Sequence, residues 1–268
     1  MRTPTFNTDI FVQRLEYWAD TILRFQDIHA QERKIPRLYV ACGGDFVEGE
    51  PYTHRINLGE LDVDTKERRV MDVLAQKRLI QETFAAALYK LSQSFEAVVV
   101  KGVYGNHGAG RGWLASKRSN DDTEVYLNVA DRLHDVRNLF FEIEQDNFYQ
   151  VFPVFSIKFL LVHGHQVRMW SRTPLYGVTN KVLLWKQILP QFDVALVAHF
   201  HSRNLLDALG TPIYMNGCFG GDSEYEQAAG LKATLTQWVI GVHPTKGISW
   251  DRNVRFDFMD GAETPPAP

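Results

Sequence analysis

Four short stretches of this chain carry residue types that can do chemistry. In the first, Gly43-Gly44-Asp45-Phe46-Val47-Glu48-Gly49, a carboxylate sits in a glycine-rich turn. It follows an apolar run, Leu38-Tyr39-Val40-Ala41-Cys42, that reads as a buried strand. An unpaired charge in such a place is costly, so Asp45 needs a cation. Asn106-His107, His163 and His199-Phe200-His201 also stand at the ends of apolar runs. A single histidine at a strand end is more often a satisfied core or rim residue than a ligand. Four such strand ends in one chain are hard to obtain by accident. Carboxylate, amide oxygen and imidazole together make a mixed oxygen and nitrogen donor set. That set suits Mn²⁺, Fe, Zn²⁺ or Ni²⁺ better than Ca²⁺ or a metal held by thiolates. His199 and His201, two residues apart, are expected to serve different ions.

The elements that must position these residues can be read from periodicity. Residues 9–31 place Ile10, Phe11, Leu15, Trp18, Ile22, Leu23 and Phe25 at helical spacing, an amphipathic helix with one core face. The strand ending at Asp45 follows, and residues 50–64 read as a polar loop that includes His54. A long helix is predicted over 65–94, with Val70, Val73, Leu74, Ile80, Phe84, Ala87, Leu88 and Leu91 on its apolar side. Residues 96–100 are the next strand, leading into Gly105-Asn106-His107-Gly108. Strand, helix and strand in this order set two strand ends side by side, at the carboxyl edge where open α/β sheets bind ligands. Downstream, a helix is predicted over 122–135, strands over 139–143, 149–152 and 155–162, a helix over 176–189 and a strand over 193–197. The last third reads as short strands joined by turns, a β-meander. Two sheets with helices outside them, in one domain over residues 1–262, is the economical architecture. The tail, 263–268, is expected to be disordered.

The totals set bounds. The 268 residues are 45% hydrophobic and 23% charged, ordinary values for a globular protein. The formal net charge of −3 gives no global basic footprint for nucleic acid. Two cysteines, Cys42 and Cys218, fit neither a disulfide framework nor a zinc cluster and read as reduced, packed thiols of a cytoplasmic protein. No window is apolar enough to span a membrane, and the N-terminus lacks the apolar core of a signal peptide.

With these motifs in order, the chain resembles the calcineurin-like metallophosphoesterases. Asp45 in Gly-Asp-Phe-Val-Glu-Gly, Gly105-Asn106-His107, the strand-end His163 and His199-x-His201 follow the order and spacing of that family across nearly the whole chain. The wording around Asp45 and the long helix behind it resemble subgroups encoded in phage and prophage genomes. The resemblance implies a four-layer α/β/β/α sandwich of two mixed sheets flanked by helices, with a two-metal site at the strand ends. It implies that Asp45 bridges two divalent ions (Mn, Fe, Zn, Ni or Mg). Asn106, His163 and His199 would complete one shell, and His201 would belong to the other. The implied function is hydrolysis of a phosphomonoester or phosphodiester by in-line attack of a metal-bound hydroxide, with His107 as the outer-shell acid. By analogy the substrate could be a nucleotide or nucleic acid, although no DNA-binding cap or basic groove is visible.

One departure stands against the pattern. The family begins with a strand ending in Asp-x-His, which supplies two ligands to the second ion, and this chain has no Asp-x-His. Either the sequence begins just downstream of that motif, or it is a natural variant that holds one ion or recruits a local residue such as Asp9 or His54. Truncation is favoured, because removing a strand leaves backbone groups that must be satisfied. The expectation is asymmetric: one ion fully held, the second weak or absent. An inactive or truncated phosphoesterase fold acting as a binding or structural module is the alternative.

Around these motifs, Arg111 and His165 are candidate substrate-binding residues. Arg111 suits bidentate oxyanion contacts. Glu48, Lys117 and Arg118 read as solvated charges, and His134 and His243 as structural. Asn216-Gly217-Cys218-Phe219-Gly220-Gly221-Asp222 reads as a tight turn needing positive φ, and Trp113 and Trp170 as aromatics able to stack on a base.

Overall fold

The computed structural model describes residues 7–31, 34–49, 72–109, 117–168, 173–220, 233–257 and 259. His54, Arg111, Trp113, Trp170, Asp222 and the 263–268 tail lie outside them. So do the predicted loop at 50–64 and the first turns of the predicted long helix.

The chain opens with helix α1 (Thr8–Ala30), started by the Asn7 side chain, which accepts the Ile10 amide. Strand β1 (Arg37–Cys42), helix α2 (Val73–Ser92) and strand β2 (Ala97–Gly102) follow. A short 3₁₀ turn, Lys117–Ser119, leads into α3 (Asp121–Arg132), which is capped by Asn120. Next come β3 (Leu139–Ile143), β4 (Tyr149–Val154), β5 (Ile157–Val162) and α4 (Leu175–Ile188). The chain finishes with β6 (Val194–Val197), β7 (Asn204–Asp207), β8 (Pro212–Met215), β9 (Thr236–His243) and β10 (Gly247–Arg255). No helix among the described residues is long and apolar enough to cross a membrane.

Strands β1, β2 and β3 form a parallel sheet in that order. Cys42 pairs with Gly102, so the turns that carry Asp45 and Asn106 leave the sheet side by side. A second, mixed sheet has the order β4-β5-β6-β8-β7. Strands β9 and β10 form an antiparallel hairpin, so the described residues make three hydrogen-bonded sheets rather than two. The last third is not a simple meander either. Strand β8 pairs in parallel with β6 and separates it from β7. Burial accounts for that order: Ile213, Tyr214 and Met215 of β8 are buried, whereas Leu205 of β7 is exposed and takes the edge.

Three apolar clusters fill three spaces and define four layers. Leu15, Ala19 and Ile22 of α1, Phe84, Leu88 and Leu91 of α2, and Val125, Tyr126 and Val129 of α3 pack on Val40, Val98 and Val100. Between the sheets, Phe152, Phe159, Leu161, Val194 and Tyr214 meet Tyr39, Val103 and, from the hairpin, Trp238 and Ile240. On the far side, Leu160, Val162, Ala195, Val197 and Ile213 cover Val178, Val182 and Trp185 of α4. Strand β5 alternates strictly, with Phe159 and Leu161 facing one cluster and Leu160 and Val162 the other, as a strand covered on both faces must. The result is an α/β/β/α sandwich.

Helix α1 extends over the hairpin, where His29 stacks on Trp250 with ring centroids 4.0 Å apart and the Arg252 guanidinium lies over Phe25. Buried Arg14 donates to the Phe219 and Gly220 carbonyls, which ties the turn after β8 to α1. Cys42 is buried, and Cys218 is partly exposed. Burial pushes the Cys42 thiol well above its ordinary range, which suits an inert packing role.

Leu88 is 0% exposed and Leu209 is 88% exposed. Replacing Leu88 by Ala should lower stability by about 2–5 kcal/mol, whereas Leu209→Ala should change it by less than about 0.5 kcal/mol, as read by urea denaturation.

Candidate metal centre

The centre is assembled from the carboxyl ends of β1, β2, β5 and β6. Its backbone is strained where it matters. Five described residues other than glycine have positive φ, and three of them are Asp45 (55°), His199 (69°) and His201 (50°). Such strain collects at functional sites and persists only where the surroundings enforce it. The turns after β1 and β2 interlock. A Cβ on Gly44, whose φ is +89°, would lie 2.3 Å from the Gly105 amide nitrogen, and one on Gly105 would lie 2.0 Å from Asp45 Oδ1. Only glycine allows that approach. The Asp122 carboxylate holds the contact from behind by accepting the amides of Asp45 (3.0 Å), Phe46 (2.8 Å) and Gly105 (2.8 Å).

His163 is the centre of the arrangement and is 1% exposed. Its Nδ1 lies 2.6 Å from the Gly43 carbonyl oxygen. A carbonyl only accepts, so Nδ1 carries a proton, and in the neutral ring Nε2 presents a lone pair. That Nε2 is 2.9 Å from Asn106 Oδ1, 3.0 Å from Asp45 Oδ2 and 3.1 Å from His199 Nδ1. Four electron-pair donors therefore converge in one place. A proton on His163 Nε2 could serve one of the other three at a time, whereas a divalent cation serves all four. Metal–ligand distances of about 2.1 Å would be compatible with donor atoms separated by about 3 Å, so these residues fit a divalent ion. An imidazole whose second nitrogen donates to a backbone carbonyl is also the usual form of a ligating histidine.

Asp45, His163 and His199 form a cluster able to hold a metal ion, with one ligand atom from each lying within 4.8 Å of the others. Electrostatics prepares these groups for a cation. Until a cation takes the place of a proton on His163 Nε2, burial works against the ionised Asp45 carboxyl, but the hydrogen bond from His163 and the charges of His163 and His107 outweigh it and hold the group at about 2. Burial, reinforced by the charge of His163, lowers His199 to about 4, so its ring is neutral near pH 7.

His107 lies beside the cluster. Its amide donates to Asp45 Oδ1 at 2.9 Å, its Nε2 is 3.9 Å from Asp45 Oδ2, and its Nδ1 is 3.3 Å from a Glu48 carboxylate oxygen. The hydrogen bond to Glu48 outweighs desolvation and, with the charges of Asp45 and Glu48, raises His107 to about 9. Glu48, which reads in the sequence as a merely solvated acid, has an 82% exposed side chain yet orients this ring. His165 stands on the other side, its ring centroid 5.4 Å from that of His163 and lowered to about 4, chiefly by burial.

Among the described residues there is one such cluster, and His201 is not part of it. A regular strand would place His199 and His201 on one face. Their left-handed backbone takes the chain out of the strand instead, and the His201 carbonyl accepts the Thr234 amide at 2.7 Å. Asp9 is exposed in the first turn of α1 and is not part of the donor cluster.

No protein-family model matches the chain, and no curated protein matches it. Several solved structures are partly similar. Vps29 from Entamoeba histolytica, crystallised with zinc, shares 14% identity over 64% of this chain and 88% of its own, with a TM-score of 0.37. An archaeal phosphodiesterase shares 15% identity over 87% of this chain and 90% of its own, with a TM-score of 0.38. A hypothetical protein of Pyrococcus horikoshii shares 11% identity over 90% and 82%, with a TM-score of 0.43. All three scores lie below 0.5, so the superposition is partial.

Calorimetric titration with Mn²⁺ is expected to find one tightly bound ion per chain, and two equally tight ions would contradict this ligand inventory. His199 stays neutral down to about pH 4 instead of its ordinary 6.5. A base with a lowered pKa keeps its lone pair until the pH falls through the lowered value. Protonation of His199 should therefore weaken Mn²⁺ binding only as the pH approaches 4. An ordinary histidine would lose it about two units earlier.

Proposed function

We propose that this protein hydrolyses a phosphomonoester or phosphodiester in a reaction that depends on a divalent metal ion. The observation that carries the reading is the convergence of Asp45, Asn106 and His199 on His163 Nε2, with the His107 imidazole alongside. The order of the motifs along the chain supports it independently. When bound, a divalent ion supplies positive charge to a phosphoryl oxygen and makes a water more acidic.

The chain's own residues do the rest. Asp45 offers a carboxylate kept ionised far below neutral pH, and His163 and His199 offer ring nitrogens. Asn106 adds an uncharged oxygen, so the set carries one formal negative charge and leaves a divalent ion net positive towards an anionic substrate. His107 keeps a proton on the ring because Glu48 faces its Nδ1. Its Nε2 side faces the centre and donates to a phosphoryl oxygen or to the departing oxygen, the part a general acid plays in ester cleavage. His165, neutral and next to the cluster, and Arg111 after the Gly-Asn-His-Gly turn are the residues we assign to substrate contact. His201 is assigned to a second, weaker ion. A nucleotide fits this chemistry better than long duplex DNA, since the net charge of −3 provides no broad basic surface.

The second reading, a metal-binding module without turnover, draws on the presence of one donor cluster among the described residues. Hydrolysis of bis(p-nitrophenyl) phosphate and p-nitrophenyl phosphate with Mn²⁺ separates the two. Asp45→Asn should abolish tight Mn²⁺ binding and hydrolysis together. His107→Ala should leave Mn²⁺ affinity within a few-fold and lower kcat by about 10²- to 10⁴-fold. Wild-type protein that binds Mn²⁺ yet turns over no faster than His107→Ala would establish the binding module instead.

A further inference from the structure

Asp122 is a fully buried carboxylate on the first turn of α3, and neither its oxygens nor its position takes part in the donor cluster. As the first acidic turn of a helix it would ordinarily serve the helix's own amides. It does not. Its Oδ2 accepts both the Asp45 amide, at 3.0 Å, and the Gly105 amide, at 2.8 Å, and its Oδ1 accepts the Phe46 amide at 2.8 Å. The capping task falls to Asn120, whose Oδ1 accepts the Asp122 amide at 2.8 Å while its Nδ2 donates to the Gly105 carbonyl at 3.0 Å. The Asp121 amide adds a bond to the Gly108 carbonyl at 2.9 Å. One carboxylate oxygen thus joins the turn carrying Asp45 to the residue just before Asn106.

This junction holds strain that local sequence does not. Asp45 sits at φ 55°, a conformation costly for a residue with a side chain. The two turns touch closely enough that a Cβ on Gly105 would meet Asp45 Oδ1. Without Asp122, one buried and two half-buried amides lose their acceptor and the left-handed turn at Asp45 loses its anchor. The two donors it fixes, Asp45 Oδ2 and Asn106 Oδ1, come from different strands, and their separation from His163 Nε2 is what makes the shell.

We infer that Asp122 is the positioning residue of the metal centre, acting through the backbone of Asp45 and Gly105 to set Asp45 and Asn106 at coordinating distance. This rests on the metal-dependent reading above. The effect is geometric, so it belongs to affinity rather than to general stability. Loss of such supporting contacts typically weakens a metal about 10- to 100-fold.

The variants are graded by their hydrogen bonds. Asp122→Asn can keep an oxygen at the Oδ2 position and so retain the Asp45 and Gly105 bonds, losing only that to Phe46. Asp122→Ala loses all three. Mn²⁺ affinity is measured by calorimetry, with the folded fraction fixed by circular dichroism. Amide hydrogen exchange of the metal-free protein is measured at Asp45, Phe46 and Gly105. Leu88→Ala serves as a destabilised control remote from the centre. The expected result is a Kd raised about 10- to 100-fold in Asp122→Ala and by less than about 10-fold in Asp122→Asn, with the control unchanged. Exchange should quicken at all three amides in Asp122→Ala and chiefly at Phe46 in Asp122→Asn. If Asp122→Ala binds Mn²⁺ as tightly as the control, the inference is overturned while the metal centre stands. Wild-type protein that takes up no Mn²⁺ would overturn both.

Discussion

Four lone pairs pointed at one place define this molecule. His163 Nε2 faces a carboxylate oxygen, an amide oxygen and a second imidazole nitrogen, each about 3 Å away. The charges of His163 and His107 beside Asp45 partly offset that concentration of electron density, while desolvation works against it. The arrangement is tolerable because each donor is restrained by a bond made elsewhere. The Gly43 carbonyl holds the His163 tautomer, the His107 amide holds one Asp45 oxygen, and Asp122 holds the backbone beneath. A cation replaces repulsion with attraction, so the energy stored in the centre becomes affinity.

The sandwich supplies what the centre needs, namely strand ends that do not move. Strands β1 and β2 are in register from Arg37 and Ala97 to Cys42 and Gly102, and β5 and β6 from Phe159 and Val194 to Val162 and Val197. Each sheet is clamped between helices on one face and the other sheet on the opposite face, with buried valines, leucines and aromatics filling both spaces. Rigid strands ending in strained turns are a division of labour: packing fixes where the turns begin, and polar contacts fix how the side chains leave them.

Much of this was legible in the sequence, for a physical reason. Buried strands read as unbroken apolar runs, and a polar residue right after such a run marks a strand end. Asp45, Asn106, His163 and His199 could be found that way, and the α/β/β/α layers followed from the alternation of helical and strand periods. Other features are not encoded by period. The insertion of β8 between β6 and β7 depends on which strand is more apolar on both faces, a comparison between distant segments. Glu48 looks like any loop acid until the turn brings it to His107. Asp122 looks like any acid in the first turn of a helix, because nothing local shows that its amide partners lie in two turns up to 77 residues away. The left-handed backbone at His199 and His201 is equally silent, since histidine does not announce positive φ as glycine does.

The split of Asp45 between its two oxygens sharpens the question of one ion or two. Oδ1 accepts the His107 amide at 2.9 Å, and Oδ2 faces His163 Nε2 at 3.0 Å. The bond that places His107 thus leaves Oδ2 as the Asp45 oxygen that faces the donor cluster. His201 lies outside that cluster. On the described residues, Asp45 faces the His163 nitrogen through one oxygen and the His107 amide through the other. Under the hydrolysis proposed above, a phosphoester needs positive charge on its phosphoryl oxygens and a proton for the departing one, and a single ion held by this cluster beside His107 would supply both.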